Sequence, residues 1–308
     1  MLKEQLFGVE VEMTGITRAT AAKVVADALG SQASRPSYGC YCTRTIKDQA
    51  GRTWKVMRDS SICPVRNDGS RESIDEYRVE FVTPPLNYSD IELLQSIIRK
   101  LREAGAKSHS SCGIHIHVDG KNHTAQSLRR LVNFMIARQD LIYEALEIGQ
   151  REYSWCHKLD KDLSDAMKKK RANITCEDVE CIWYSRANDG YCGGINHEHY
   201  NQTRYHGVNL HSFFTKGTVE FRLFNSTLHA GKIKAYIQFC LALSAWSITS
   251  NENISFRSAC NYTAEQKVTL MRNILTRRLG LTGDEFKTCR LHIMAPLKEA
   301  AGMTSRAA

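Results

Sequence analysis

The chain has only five prolines in 308 residues and no low-complexity stretch, which excludes long disordered linkers. No segment of about 20 to 50 residues recurs, so repeat architectures are excluded too. The most apolar long segment, Ile233 to Ile248, is interrupted by Lys234 and Gln238 and is short for a membrane span; it reads as a buried helix. The opening MLKEQLFGVEVEMTG has no apolar core of signal-peptide length, because Lys3, Glu4, Glu10 and Glu12 break it up. The chain therefore reads as soluble and cytoplasmic. Several catalytic signatures are missing: G-x-x-x-x-G-K-[ST], a G-x-G-x-x-G after a strand, H-E-x-x-H and G-x-S-x-G. If phosphate is handled here, metal ions and arginines must handle it, since no glycine loop offers its amides.

Cysteine is not scarce, but its spacing is uninformative. There are eleven, with no C-x-x-C pair, and without an export signal reduced thiols are expected rather than disulfides. Cys176, Cys181, Cys192, His197 and His199 lie close in sequence, yet buried or incidental thiols are the plainer reading than zinc. The net charge of +9 suits polyanionic partners by long-range attraction. Its one dense run, KKKR at 168–171, reads as a solvated helix face. The length allows one large domain or two smaller ones.

Periodicity supplies the elements. Residues 6–14 alternate as a strand, and TRATAAKVVADALG follows as a helix with Thr17 as N-cap and Gly30 at its end. Residues 37–46 and 53–58 form a hairpin around Gly51, and 76–86 is another strand, closed by Pro84 and Pro85. Apolar residues at 91, 94, 97, 98 and 101 predict a helix over 88–105, and 112–120 is a short strand between glycines. A long helix covers 124–147, and 157–186 is polar and helical in tendency. Residues 204–213 and 217–225 read as antiparallel strands, 229–249 as a long helix, and the tail as two shorter ones. Consecutive strands without crossover helices favour an α+β fold, its sheet antiparallel or mixed and its helices on one side.

Four of these strands carry an i, i+2 polar pair opposite apolar residues: Glu10 with Glu12, His115 with His117, Glu220 with Arg222, and Arg78 with Glu80. Any one pair fits a half-exposed strand, and a lone histidine is more often structural than a ligand. The chemical identity of the set is less ordinary. Carboxylates brought together repel unless cations neutralise them, and oxygen donors with an imidazole suit magnesium or manganese.

The blocks G-x-E-x-E (8–12), W-x-x-x-x-D-x-S (Trp54, Asp59, Ser61), E-F-V-T-P-P-L (80–86), C-G-I-H-I-H-V (112–118), R-Y-x-x-x-N-L (204–210) and T-V-E-F-R-L-F-N-S-T (218–227) occur in this order. Together they resemble the amidoligase family, carboxylate–amine ligases of the glutamine synthetase-like fold. The resemblance spans about residues 7–245. It implies a curved, mainly antiparallel sheet with helices on one face and the active site on the other. The whole chain would be a single catalytic domain, its core 6–250, with 251–308 a C-terminal helical extension. It implies ATP and two or more divalent ions, Mg2+ or Mn2+. Glu10, Glu12, Glu80, Glu220 and His117 (or His115) would be metal ligands, the other histidine contacting nucleotide or substrate. Arg222 would clamp the transferred phosphoryl group beside Glu220. Asp59, Arg204 and Asn209 would contact substrate or phosphate. Thr83 and Ser226 depart from the family's usual Ser and Gly, away from the chemistry. The implied partners are a carboxylate (an amino acid or peptide) and an amine, with no membrane. A metal-dependent phosphohydrolase and a non-catalytic nucleic-acid-binding protein are the alternatives, the latter disfavoured by carboxylates on the strand faces.

Overall fold

Alternating apolar residues lay down seven strands. The computed structural model describes residues 1–170, 173–186, 194–252, 254 and 261–303. The strands are β1 (Phe7–Met13), β2 (Arg44–Lys47), β3 (Thr53–Met57), β4 (Val79–Val82), β5 (Gly113–Asp119), β6 (Val208–Asn209) and β7 (Thr218–Asn225). They form one antiparallel sheet in the order β2-β3-β4-β1-β5-β7-β6. The sheet neither closes nor curls strongly, where the resemblance leads one to expect a curved one. Among the described residues the helices are α1 (Arg18–Leu29), α2 (Ile91–Glu103), α3 (Ala125–Ala145), α4 (Lys161–Lys169), α5 (Cys176–Arg186), α6 (His211–Lys216), α7 (Ala230–Thr249), α8 (Ala264–Asn273) and α9 (Lys287–Ala300). The class is α+β.

The chain divides into two compact units. The first comprises Lys3–Ile116 and Phe224–Ile237; the second comprises Met1–Leu2, His117–Leu223 and Gln238–Ala308. Strands β5 and β7 and helix α7 each run from one into the other.

In the first unit, β4 lies between β3 and β1, with Glu12 opposite Glu80 and Val56 opposite Phe81. Trp54 stacks on Phe81 with ring centroids 5.9 Å apart. Helix α1 starts where the Thr17 side chain accepts from Thr20 N, and it stops at Gly30 in the left-handed region. It packs on α2 and on β2 and β3. All five predicted apolar positions of α2 (Ile91, Leu94, Ile97, Ile98 and Leu101) are buried. Gly15 ends β1 at φ +83°, and a Cβ there would lie 2.6 Å from Gly105 O, so no side chain fits.

The strand predicted over 37–46 shortens to Arg44–Lys47, since the chain turns through Gly39 and Cys42, both at positive φ. The strand predicted over 76–86 shortens to Val79–Val82. Arg78 therefore leaves the strand face: its guanidinium donates to the Ser60 and Ile62 carbonyls.

In the second unit, the strand predicted over 204–213 is reduced to Val208 and Asn209, paired with Phe221 and Glu220. Asn209 Oδ1 accepts from His211 N at 2.8 Å, and the chain winds into α6 until Gly217 ends it at φ +73°. Helix α7 is buried along most of its length, as its apolar sequence predicts.

Beside α7, His123 is buried, with Nδ1 3.0 Å from Ser127 Oγ and Nε2 2.9 Å from Ser244 Oγ. Burial pushes its pKa from 6.5 down to about 4. The unfolded chain then binds a proton below pH 6.5 that the folded chain refuses until about pH 4, so stability falls with pH across that window. The expected loss from this residue between pH 7 and pH 5 is about 2 kcal/mol. Urea unfolding at both pH values measures it: His123→Gln should narrow the gap by that amount, and an unchanged gap would count against the assignment.

Candidate active site

In the first unit, β1 sets Glu10 and Glu12 on one face because Val9, Val11 and Met13 fill the core on the other. Glu12 is only 4% exposed, as deep as its apolar neighbours, and its Oε2 accepts from Gly113 N at 2.6 Å. His115 is buried on β5, with Nδ1 2.9 Å from Glu10 Oε2 and Nε2 3.7 Å from Glu12 Oε1. Glu80 is buried opposite Glu12 in the β1–β4 register. Asp59 follows β3 in a tight turn, its Oδ1 accepting from both Ser61 N and Ser61 Oγ at 2.6 Å.

These five side chains form two overlapping donor groups. Glu10, Glu80 and His115 make one; Glu12, Asp59 and Glu80 make the other. In each group the donor atoms lie within 4.8 Å of one another. Glu80 belongs to both. Carboxylates so close, two of them nearly desolvated, repel one another strongly unless positive charge is supplied. Oxygen donors with one imidazole fit magnesium or manganese. The two departures from the family blocks turn out to hold β1: Thr83 Oγ1 accepts from Val9 N at 2.9 Å, and Ser226 Oγ donates to Glu12 O at 2.5 Å.

In the second unit, β7 carries Glu220 and Arg222, both buried. Arg222 Nη1 donates to Glu220 Oε1 at 2.7 Å and Asn209 Nδ2 donates to Glu220 Oε2 at 2.6 Å, so each carboxylate oxygen accepts a short bond. The Arg222 guanidinium also lies 5.7 Å from the Tyr205 ring. Its backbone N donates to Gly207 O at 2.9 Å. Gly207 is required here, because a Cβ would lie 2.3 Å from the Tyr143 hydroxyl. His117 Nδ1 is 2.9 Å from Thr218 Oγ1, and its Nε2 is 3.9 Å from Glu220 Oε1.

Arg204 donates to His199 O at 2.9 Å and sits against the rings of Tyr200 and Tyr205. It lines a cavity of about 170 Å³ together with Asn209 and Glu220. His199, His211 and Lys216 line the same cavity, and sequence reasoning did not assign them to it. No pattern could have done so, since His211 and Lys216 reach the cavity only because residues 211–216 form a helix. His211 Nδ1 lies 2.7 Å from the Tyr184 hydroxyl. Burial first, then Arg204 and His197, hold the His211 pKa below its usual value, while burial raises the Tyr184 hydroxyl to about 12. A protonated phenol donating to a neutral imidazole satisfies both.

The family model described as "putative amidoligase enzyme" matches residues 3–244. The chain belongs to this amidoligase family. The matched span contains all ten candidate site residues, whereas α8 and α9 lie beyond it. No curated protein matches the chain. Membership implies amide-bond ligation.

The remaining sequence features are quieter. Every cysteine among the described residues is a free thiol. Cys192 lies outside those residues, and Cys176, Cys181, His197 and His199 make no three-donor group among them. Lys168 and Lys170 are exposed and pair with Asp165 at 3.2 Å and Asp178 at 2.8 Å, as on a solvated face; Arg171 lies outside the described residues. Among the described residues no helix is long and apolar enough to cross a membrane.

Proposed function

We propose that this chain is an ATP-dependent ligase joining a carboxylate, from an amino acid or peptide, to an amine. The observation that carries the reading is the pair of donor groups sharing Glu80, in a chain of the amidoligase family. The fold would then be a glutamine synthetase-like one, a single catalytic domain with its core in 6–250 and 251–308 as a helical extension.

Glu10, Glu12, Asp59, Glu80 and His115 would hold divalent cations, Mg2+ or Mn2+, with Glu220 and His117 as further ligands. When bound, those ions supply charge neutralisation around the phosphates of ATP. The substrate carboxylate attacks the γ-phosphorus, an O–P bond forms, and ADP leaves. The amine then attacks the acyl carbon, phosphate leaves, and the nitrogen gives up a proton. Phosphoryl transfer is chiefly positioning and charge stabilisation, and Arg222, aligned by its bond to Glu220, offers a fixed guanidinium for it. Arg204 and Asn209, lining one cavity, would contact substrate or phosphate.

The test is an ATP-to-ADP assay with magnesium over pools of acids and amines, with products read by mass. ADP release only when an acid and an amine are both present, with a matching amide mass, is the expected result. Phosphate release from phosphoesters without any amide would replace this reading with a phosphohydrolase using water as acceptor. A salt-dependent shift of labelled RNA or DNA without ATP turnover would replace it with a nucleic-acid-binding protein.

A further inference from the structure

Past the family-matched span, α8 does not simply end. It runs into a π-turn, Ile274–Arg278, in which Leu279 N donates to Ile274 O, five residues back, at 2.9 Å. Turns of this kind break helix regularity and recur at functional sites. This one contributes Asn273, Arg277 and Arg278 to the lining of a second cavity, of about 230 Å³, which Arg138 of α3 also lines. At about 30 Å³ per water in the liquid, the space holds several water-sized groups, more than a monatomic ion needs.

The lining is unbalanced in charge. Three guanidiniums face one carboxylate, Glu252, which is itself largely exposed. Arg278 lies 5.8 Å from the Trp246 ring. Its Nη1 is buried, 3.3 Å from Glu252 Oε2, and makes no hydrogen bond among the described residues. Burial, and then the charge of Arg278, hold the Arg138 guanidinium below its usual pKa, so the two charges sense each other. Arg277 is exposed and has no ion-pair partner among the described residues. Planar guanidinium forks suit phosphate oxygens two at a time.

We propose that this cavity binds the phosphate groups of a small anion of about diphosphate size, through Arg138, Arg277 and Arg278 with Asn273 as a neutral donor. The proposal does not depend on the ligase reading.

Calorimetry on the full chain tests it, at low salt and without divalent cations, using inorganic pyrophosphate and, separately, ADP. The expected result is saturable binding of pyrophosphate that weakens as salt rises, with ADP within about threefold of it, because the phosphates are what the arginines read. Arg277→Gln and Arg278→Gln should each weaken it about tenfold or more, since each removes a charged, forked donor. Arg277 is exposed, so Arg277→Gln should keep the parent melting temperature and its loss cannot be unfolding. Arg35→Gln, exposed and lining neither cavity, should bind as the parent does. Absence of saturable pyrophosphate binding, full binding by Arg277→Gln, loss of binding in Arg35→Gln, or binding of ADP alone would each overturn the proposal.

Discussion

Glu80→Gln is expected to lower amide formation by about a thousandfold or more, a larger loss than Asp59→Asn should cause. Glu80 is the one residue common to both donor groups, so the substitution withdraws an anionic ligand from each at once. Asp59 belongs to only one of those groups, and Asp59→Asn should cost less, about 10- to 100-fold. Glutamine is nearly isosteric, and β4 is held by β1 on one side and β3 on the other, so the sheet should survive. In the absence of metal the variant should melt no lower than the parent, because one of several crowded carboxylates has lost its charge. In the parent, magnesium at about 100 times its dissociation constant should add about 2.7 kcal/mol of stability by mass action, and chelation should remove it. Most of that gain should vanish in Glu80→Gln. Thermal melts with and without magnesium, beside amide yields at saturating ATP, read both effects. If Glu80→Gln loses no more activity than Asp59→Asn, the idea of a shared ligand fails.

Much of this was legible before any coordinates. The caps of α1, the five buried positions of α2 and the paired faces of β1, β5 and β7 follow from apolar spacing and local capping chemistry, which act over a few residues. The strand pairs Glu10/Glu12 and Glu220/Arg222 were visible for the same reason. What periodicity misjudged was burial. An alternating strand is ordinarily read as half-solvated, yet Glu12, His115, Glu220 and Arg222 are as buried as the core. That depends on what covers the polar face, which no local pattern records.

Other features were out of reach because a side chain decided the backbone. Residues 204–213 alternate like a strand, but the Asn209 side chain takes the His211 amide and starts a helix instead. Arg78 shares a spacing with Glu80, yet the turn at Asp75–Tyr77 directs its guanidinium to carbonyl groups. Asp59 entered only through a family block, since a lone Asp in a loop carries no periodic signal. The π-turn after α8 is equally silent in sequence, because it differs from an α-helix only in which carbonyl each amide reaches.

Arg222→Ala is expected to cut ATP-dependent amide formation by about 10³- to 10⁵-fold, the range for removing a guanidinium from a phosphoryl-transfer site. The substitution has a structural effect as well, and the two must be separated. Arg222 and Glu220 are both buried and 2.7 Å apart, so Arg222→Ala removes the cation that offsets a buried carboxylate. Breaking such a pair from one side typically costs about 3 to 5 kcal/mol. Replacing both residues by uncharged ones of similar volume, as in Arg222→Met with Glu220→Gln, is often nearly neutral for stability. The double variant should therefore recover most of the melting temperature lost by Arg222→Ala while remaining inactive. Arg222→Lys should keep the charge and most of the stability but recover little activity, because an ammonium is a point donor that cannot bond Glu220 and a phosphoryl oxygen through one planar fork. If restoring stability in the double variant restores amide formation, Arg222 is a structural partner of Glu220 and its role at the phosphoryl group is excluded.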